Sequence, residues 1–308
     1  MIILFALVFL ALSFWAYRVT FYQRRITPYD RINMKSFAPY EERIRELVDA
    51  MVNRECEKVS ITARDGTRLC ARYYHISDGA PLEIMAHGYR GHALRDFSGG
   101  ARLCIENGHN LLLIDHRAHG ESGGKTISFG IKERFDILDW VDYATERFGK
   151  EKKIILAGVS MGAGTVIMAA GETLPENVVG VIADCPFSAP IDIIERVGAE
   201  RGFPRLLIKP LVFSGAMLFG GFRLSECSPR EAAARVNIPI LIIHGDADRF
   251  VPFSMSEEIQ RANPSIILVK IEGAEHAVSY LRDTEKYTAA VSKFINEIMG
   301  EKNEDRRK

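Results

Sequence analysis

Residues 153–162 read KIILAGVSMG, and 163–171 continue AGTVIMAAG. The run IILAG follows two lysines and is too short for a helix. It reads as a strand buried on both faces of a sheet. The stretch after it is compatible with a helix. Between them, Gly158-Val159-Ser160-Met161-Gly162 is a G-x-S-x-G pattern in a strand–turn–helix setting. Cβ atoms at 158 and 162 would collide with neighbours in so sharp a turn, so glycine is required there. The same turn strains the backbone of Ser160 and lifts its hydroxyl clear of the sheet. It also sets the Met161 N–H at a helix N-terminus, where developing negative charge is stabilised. A Gly/Ser turn that only joins a strand to a helix has the same sequence, so the rest of the chain must supply partners.

Outward from this segment the same alternation repeats. Residues 58–63 and 68–74 alternate around Asp65-Gly66 as an antiparallel pair. Apolar runs at 82–86, 110–115, 178–183, 240–244 and 266–271 read as further strands buried on both faces. Helical stretches fall near 97–107, 129–148, 161–174, 254–263 and 281–299. The expected fold is α/β, a mostly parallel, doubly wound sheet spanning 57–299. One interval, about 187–236, carries no buried-strand signal. Its ends read as helices, at 189–202 and from Ser228-Pro229-Arg230-Glu231 onward. The middle (203–222) is apolar but broken by Pro204, Pro210 and several glycines. This predicts an inserted helical cap that covers something. Two helices completing the core are the alternative.

The N-terminus differs from the rest. Residues 1–17 hold no charged side chain, and the run extends to Tyr22, near the ~20 residues that cross a bilayer. Trp15, Tyr17 and Tyr22 fit an interfacial aromatic belt. Arg18, Arg24 and Arg25 follow. Residues 1–22 are therefore expected to form a single-pass membrane anchor with the domain that follows in the cytoplasm. A signal peptide would need a basic leading region and a small-residue cleavage site. Residues 23–56 read as a linker and an amphipathic helix carrying Ile44, Leu47, Val48 and Met51. Residues 300–308 read as a charged tail ending in Arg306-Arg307-Lys308, expected to fray.

Over 308 residues, 40 Lys+Arg balance 40 Asp+Glu, which leaves no electrostatic case for nucleic acid as a partner. Hydrophobic residues at 47% and charged residues at 26% exclude a disordered or collagen-like chain. Cys56, Cys70, Cys104, Cys185 and Cys227 are odd in number, scattered and without a C-x-x-C pair. They indicate neither a zinc site nor a disulfide framework, and a reducing compartment suits them. Gly120 to Thr126 approaches a phosphate-binding loop, but position 119 is His where the first glycine belongs. Gly162 and Gly164 begin a dinucleotide fingerprint that fails at Ile167.

A serine hydroxyl needs a base, and the base needs an orienting group. Residues 244–252 (HGDADRFVP) follow one strand and 272–276 (EGAEH) follow the last. His276 is favoured among eight histidines because it follows the final strand in a glycine-containing loop. His87 reads as structural, and His75, His92 and His109 as loop residues lacking a matching acid. His116 and His119 share the loop after Asp115, and His244 precedes the acid loop. Asp248 is preferred to Asp246 as the acid because it lies further out of its strand. Asp184 is a third candidate. Ser160, acid and His then stand in the chain order nucleophile–acid–base, at the carboxyl ends of parallel strands.

With HGYRGH (87–92), DHRAHGESGG (115–124), GVSMG, HGDADRFVP and GAEH (273–276) in order, the chain resembles the α/β-hydrolases with a serine nucleophile. It is most similar to a bacterial group with an anchored N-terminus and a short helical cap. The resemblance covers residues 57–299. It implies that the residue after the His-Gly pair, Tyr89, donates its N–H to an oxyanion hole whose second donor is Met161. One departure is Arg117-Ala118-His119-Gly120, where the family usually has Arg-Gly-His-Gly. That puts the local backbone of the loop in question.

The expected activity is hydrolysis of an ester or thioester with an apolar acyl group, a small-molecule acyl substrate, with no metal or organic cofactor required. A serine peptidase of the same fold is one alternative. A catalytically silent, membrane-tethered interaction protein is the other.

Overall fold

The computed structural model describes residues 1–23, 26–30 and 36–300. Arg24, Arg25 and the basic tail at 306–308 lie outside them. An eight-stranded sheet forms the body: β1 (Glu57–Thr62), β2 (Arg68–Tyr74), β3 (Leu82–Ala86), β4 (Asn110–Asp115), β5 (Ile154–Val159), β6 (Val178–Asp184), β7 (Ile240–Gly245) and β8 (Ile267–Ile271). Their spatial order is β1-β2-β4-β3-β5-β6-β7-β8. β2 runs antiparallel to both neighbours, and every pair from β4 to β8 is parallel. All eight strands coincide with the runs read from sequence to within a residue or two.

The continuous apolar runs follow from burial on two faces. Side chains alternate across a strand, so each run feeds two cores. Ile84, Leu112, Ile114, Leu156, Val181 and Ile242 point to one. There they meet α5 (Glu133–Phe148) and α6 (Met161–Ala170) through Trp140, Ala163 and Ile167. Met85, Leu113, Ile155, Ile182 and Ile243 point to the other. There they meet α4 (Ser98–Glu106) and α12 (Thr284–Met299) through Leu103, Val291 and Phe294. Glu83 interrupts β3 without penalty, because its buried carboxylate meets His109 Nδ1 at 2.8 Å.

The structure differs from the sequence reading at β8, at the start of α5 and at the end of α6, which stops at Ala170 rather than 174. β8 does not read as buried on both faces: it is the sheet edge, and Ile267 is 40% exposed. α5 starts at Glu133 rather than 129. The Glu133 carboxylate accepts from the Ser128 and Gly130 N–H groups and the Ser128 hydroxyl, which fixes the residues before it as a loop. Gly130 there takes φ +92°.

The remaining helices are α1 (Ile2–Thr20), α2 (Glu41–Val52), α3 (Ala93–Asp96), α7 (Pro190–Glu200), α8 (Arg205–Gly215), α9 (Pro229–Ala233), α10 (Phe253–Ala262) and α11 (Ser279–Arg282). α2 buries Ile44, Leu47, Val48 and Met51 against the body, as its spacing predicts. Residues 187–236 divide in two. α9 joins the helical layer beside α6, where a Cβ on Gly171 would touch Ala232 at 2.8 Å. α7, α8 and a π-helical turn at Ala216–Gly220 stand over the carboxyl edge of the sheet as a cap.

α1 is long and apolar enough to cross a membrane. Its last turns are nevertheless built into the fold. Phe21, just past its end, is fully buried between Phe129 and Phe222, with ring centroids at 5.9 and 5.2 Å in edge-to-face arrangement. Tyr17 and Ala16 join the same cluster with Ile208, Val212 and Ala216 of the cap.

Candidate active site

Ser160 stands between β5 and α6 with φ +55° and ψ −113°, a conformation that L-residues avoid. Its neighbours leave no other geometry. A Cβ on Gly158 would sit 2.3 Å from the Gly162 carbonyl oxygen, and one on Gly162 would sit 1.8 Å from the Ala86 oxygen. The turn is pinned by Ser160 N–H donating to the Asp184 carbonyl at 2.8 Å and by Gly164 N–H donating to the Ser160 carbonyl at 3.1 Å.

Ser160 Oγ lies 2.9 Å from His276 Nε2. His276 Nδ1 lies 2.6 Å from Asp248 Oδ2. Three residues drawn from the ends of β5, β7 and β8 are thus brought into one file. Asp248 is itself held tightly. Its Oδ1 accepts the N–H groups of Phe250 and Val251 at 2.9 and 2.8 Å. Its Oδ2 lies 3.2 Å from His244 Nε2. Burial opposes ionisation of Asp248, but the facing His276 and the hydrogen bonds from His244 and His276 outweigh it. The carboxyl is held well below its usual range.

The competing acids are engaged elsewhere. Asp246 Oδ1 accepts the Gly273 N–H at 2.8 Å, closing the turn before His276. Asp184 meets Ser279 Oγ at 3.3 Å, and burial pushes its pKa up to about 6. Cys185 stands beside Asp248 and His276, and burial drives its thiol well above the ordinary value, which keeps it protonated. Among the other histidines, His87 packs against His116 and His119 at 4.8 and 4.6 Å, behind the Gly88–Gly91 turn. Burial lowers all three, so they are neutral packing groups.

Tyr89 and Met161 flank the serine. A Cβ on Gly88 would lie 3.5 Å from the Ser160 Cβ, so the turn carrying Tyr89 passes directly beside the hydroxyl. Asp96 anchors that turn by accepting the Gly88 N–H at 3.0 Å. Met161 is the first residue of α6. The loop departure at Ala118 has a visible consequence: the residue adopts φ +65°, the left-handed region that glycine takes at little cost.

The sequence matches the family described as "alpha/beta hydrolase fold" over residues 84–219. The uncharacterized protein YqkD of Bacillus subtilis (strain 168) is 31% identical over 230 residues, covering 73% of this chain and 75% of that protein. The chain belongs to the α/β-hydrolase fold family. Among solved structures, the Pyrococcus furiosus esterase Pf2001 is similar to it with a TM-score of 0.64 and 25% identity, covering 80% of this chain and 94% of the esterase. A monoacylglycerol lipase of Mycolicibacterium smegmatis is 26% identical over 213 residues, 58% of this chain and 74% of the lipase.

In this α/β-hydrolase, Ser160 and Met161 open onto a cavity of about 490 Å³ beneath the cap. Its walls are mostly apolar: Phe129 and Phe187 from the body, Ile194 from α7 and Leu211 from α8. α1 contributes Leu12, Trp15, Ala16, Val19 and Thr20. The sequence reading assigned no site residue to α1. The pairing signal lies in Tyr89 and Arg90. The Tyr89 hydroxyl donates to the Thr20 carbonyl at 2.7 Å. Arg90 donates to the carbonyls of Val19 and Tyr22 at 2.7 and 3.1 Å. These are carbonyls at the end of α1, which carry partial negative charge and attract a cation. His244 was also missed as a support of Asp248; only the folded loop brings it back to the carboxylate.

Proposed function

We propose that this chain is a serine hydrolase that cleaves an ester or thioester with an apolar acyl chain, through an acyl-enzyme at Ser160. The observation that carries the reading is the 2.9 Å and 2.6 Å file from Ser160 through His276 to Asp248, opening on an apolar cavity. His276 Nε2 takes the Ser160 proton as Oγ attacks the acyl carbon. Asp248 fixes the Nδ1–H tautomer and stabilises the imidazolium. The N–H groups of Tyr89 and Met161 hold the oxyanion. Collapse passes the proton from Nε2 to the leaving oxygen or sulfur, and the alcohol or thiol departs. Water, deprotonated by His276, then attacks the acyl-enzyme and releases the acid. Asp248, ionised over the whole neutral range, keeps this file competent near pH 7.

α1 serves as the membrane anchor, with the hydrolase body on the cytoplasmic side; protease protection in sealed vesicles tests the side. The chemistry is tested with a fluorophosphonate. The full chain is expected to label stoichiometrically at Ser160, and Ser160→Ala is expected not to label. Equal labelling of folded Ser160→Ala, or none of the unmodified chain, refutes the mechanism and favours a silent interaction protein.

A further inference from the structure

The cavity beneath the cap has a rim as well as walls, and the rim is apolar. Leu12 and Trp15 of α1, Phe203 just before α8 and Leu207 in its first turn all line the cavity and are also exposed, Trp15 to 46% and Leu207 to 51%. In water such a mouth would be a liability. Beyond the rim the apolar surface continues. Leu206, exposed to 86%, and Met217 and Leu218 of the π-helical turn stand on the outer side of the cap. Ring contacts join cap and α1 into one face: Trp15 with Phe203 at 5.4 Å and Phe14 with Phe219 at 5.0 Å.

The exposed half of α1 bears on what covers this face. Its 19 residues rise ~28 Å at ~1.5 Å each. The part that lines the cavity, Leu12 to Thr20, accounts for ~12 Å. Residues 2–11 account for the other ~15 Å, about half of a ~30 Å hydrocarbon core. These ten residues are exposed and apolar on every side. A second protein copy would need one stripe, whereas lipid suits an all-round apolar surface. A helix sunk in this way carries the exposed cap residues and the cavity rim into the same leaflet.

We propose that this hydrolase draws a bilayer-resident lipid ester or thioester into the Ser160 cavity laterally, through a portal framed by Leu12 and Trp15 of α1 and by Phe203 and Leu207 of the cap. The inference rests on the acyl-enzyme reading of Ser160 and adds the source and route of the substrate. The acyl chain passes from leaflet to cavity without crossing water, which removes the cost of hydrating it on the way. α1 is then a wall of the binding site as well as an anchor. Because Tyr89 and Arg90 are tied to its end, the oxyanion turn is set by the same docking.

The test uses the full chain in phosphatidylcholine vesicles and two substrates. One is p-nitrophenyl butyrate in the aqueous phase; the other is 4-methylumbelliferyl oleate partitioned into the vesicles. The double variant Leu206→Asp/Met217→Asp alters the outer face of the cap and touches neither cavity nor catalytic groups. It is expected to lose tenfold or more on the vesicle-borne ester while staying within twofold on the dissolved one. Equal rates of variant and unmodified chain on the oleate, or a parallel fall on both substrates in folded variant, overturn the portal but leave the acyl-enzyme reading standing. An unmodified chain inactive on both substrates overturns the reading and the portal together. A second measurement needs no variant on that face. Trp140 is fully buried in the core, so Trp15 is the tryptophan that lipid can reach, with Trp15→Phe as the blank. Vesicles of lipid brominated along the acyl chain are expected to quench Trp15. Absence of quenching places the rim outside the hydrocarbon, or under a second copy, and overturns the proposal.

Discussion

Replacing Asp248 by Asn tests the proposed role of the Ser160–His276–Asp248 file most sharply, because the structure fixes which way the amide must turn. Oδ1 accepts two backbone N–H groups, from Phe250 and Val251, and these cannot invert. The Asn oxygen must therefore face them, and its NH2 must face His276 Nδ1, where Oδ2 now lies at 2.6 Å. The His244 contact at 3.2 Å does not change this, since the one Nε2–H is shared between Asp248 and the Val251 carbonyl, and the carbonyl at 2.8 Å is the nearer acceptor. Facing an NH2, His276 Nδ1 has to accept. Its proton moves to Nε2, which then points N–H at Ser160 Oγ and cannot take the serine proton. The wrong tautomer in a triad costs ~10⁴ in kcat, or ~5.4 kcal/mol of barrier. The matching hydrolysis assay is kcat on p-nitrophenyl butyrate at pH 8, with fold checked by circular dichroism and Asp246→Asn as control. Asp246 closes a turn, so its variant is expected to keep at least half of kcat. A folded Asp248→Asn chain that keeps more than a tenth of kcat refutes the reasoning, as does an Asp246→Asn chain that falls as far.

Two further outcomes follow from the same geometry. Burial raises the Asp184 pKa to about 6, against ~3.9 in an unfolded chain. Between those values the folded state keeps a proton that the unfolded state has lost, so this group's contribution falls as pH rises through the window and levels off above it. Asp184→Asn is expected to be more stable than the unmodified chain at pH 7.5, by at most ~3 kcal/mol, with the gap closing by pH 4 in urea titrations. An equally large gap at pH 4 would point to lost contacts instead. Gly162→Ala would push a Cβ to 1.8 Å from the Ala86 oxygen and 2.7 Å from the His87 oxygen, both backbone atoms with no room to yield. It is expected to abolish the cooperative melt, or to cut stability by more than ~4 kcal/mol. An unchanged melting temperature would mean that the turn can relax.

The central strands were legible in the sequence, because a strand buried on both faces is apolar along most of its length and a polar exception such as Glu83 needs its own buried partner; that signature runs through KIILAG and NLLLID. The sequence also determined the steric turn around Ser160, since only glycine fits at 158 and 162. The order of Ser160, Asp248 and His276 was legible for the same local reason: each follows a strand end. What it did not determine was any relation lacking a periodic or local signature. The edge position of β8 depends on the strand order, which no single strand encodes. The convergence of two backbone N–H groups and two histidines on Asp248, which Asp246 and Asp184 lack, belongs to the folded loop alone. The docking of α1 was least visible of all. An all-apolar helix presents the same sequence whether it meets lipid or protein, and only the packed cap, with Phe129, Phe222 and the Tyr89 and Arg90 side chains, distinguishes the half of the helix that is built into the cavity from the half that is not.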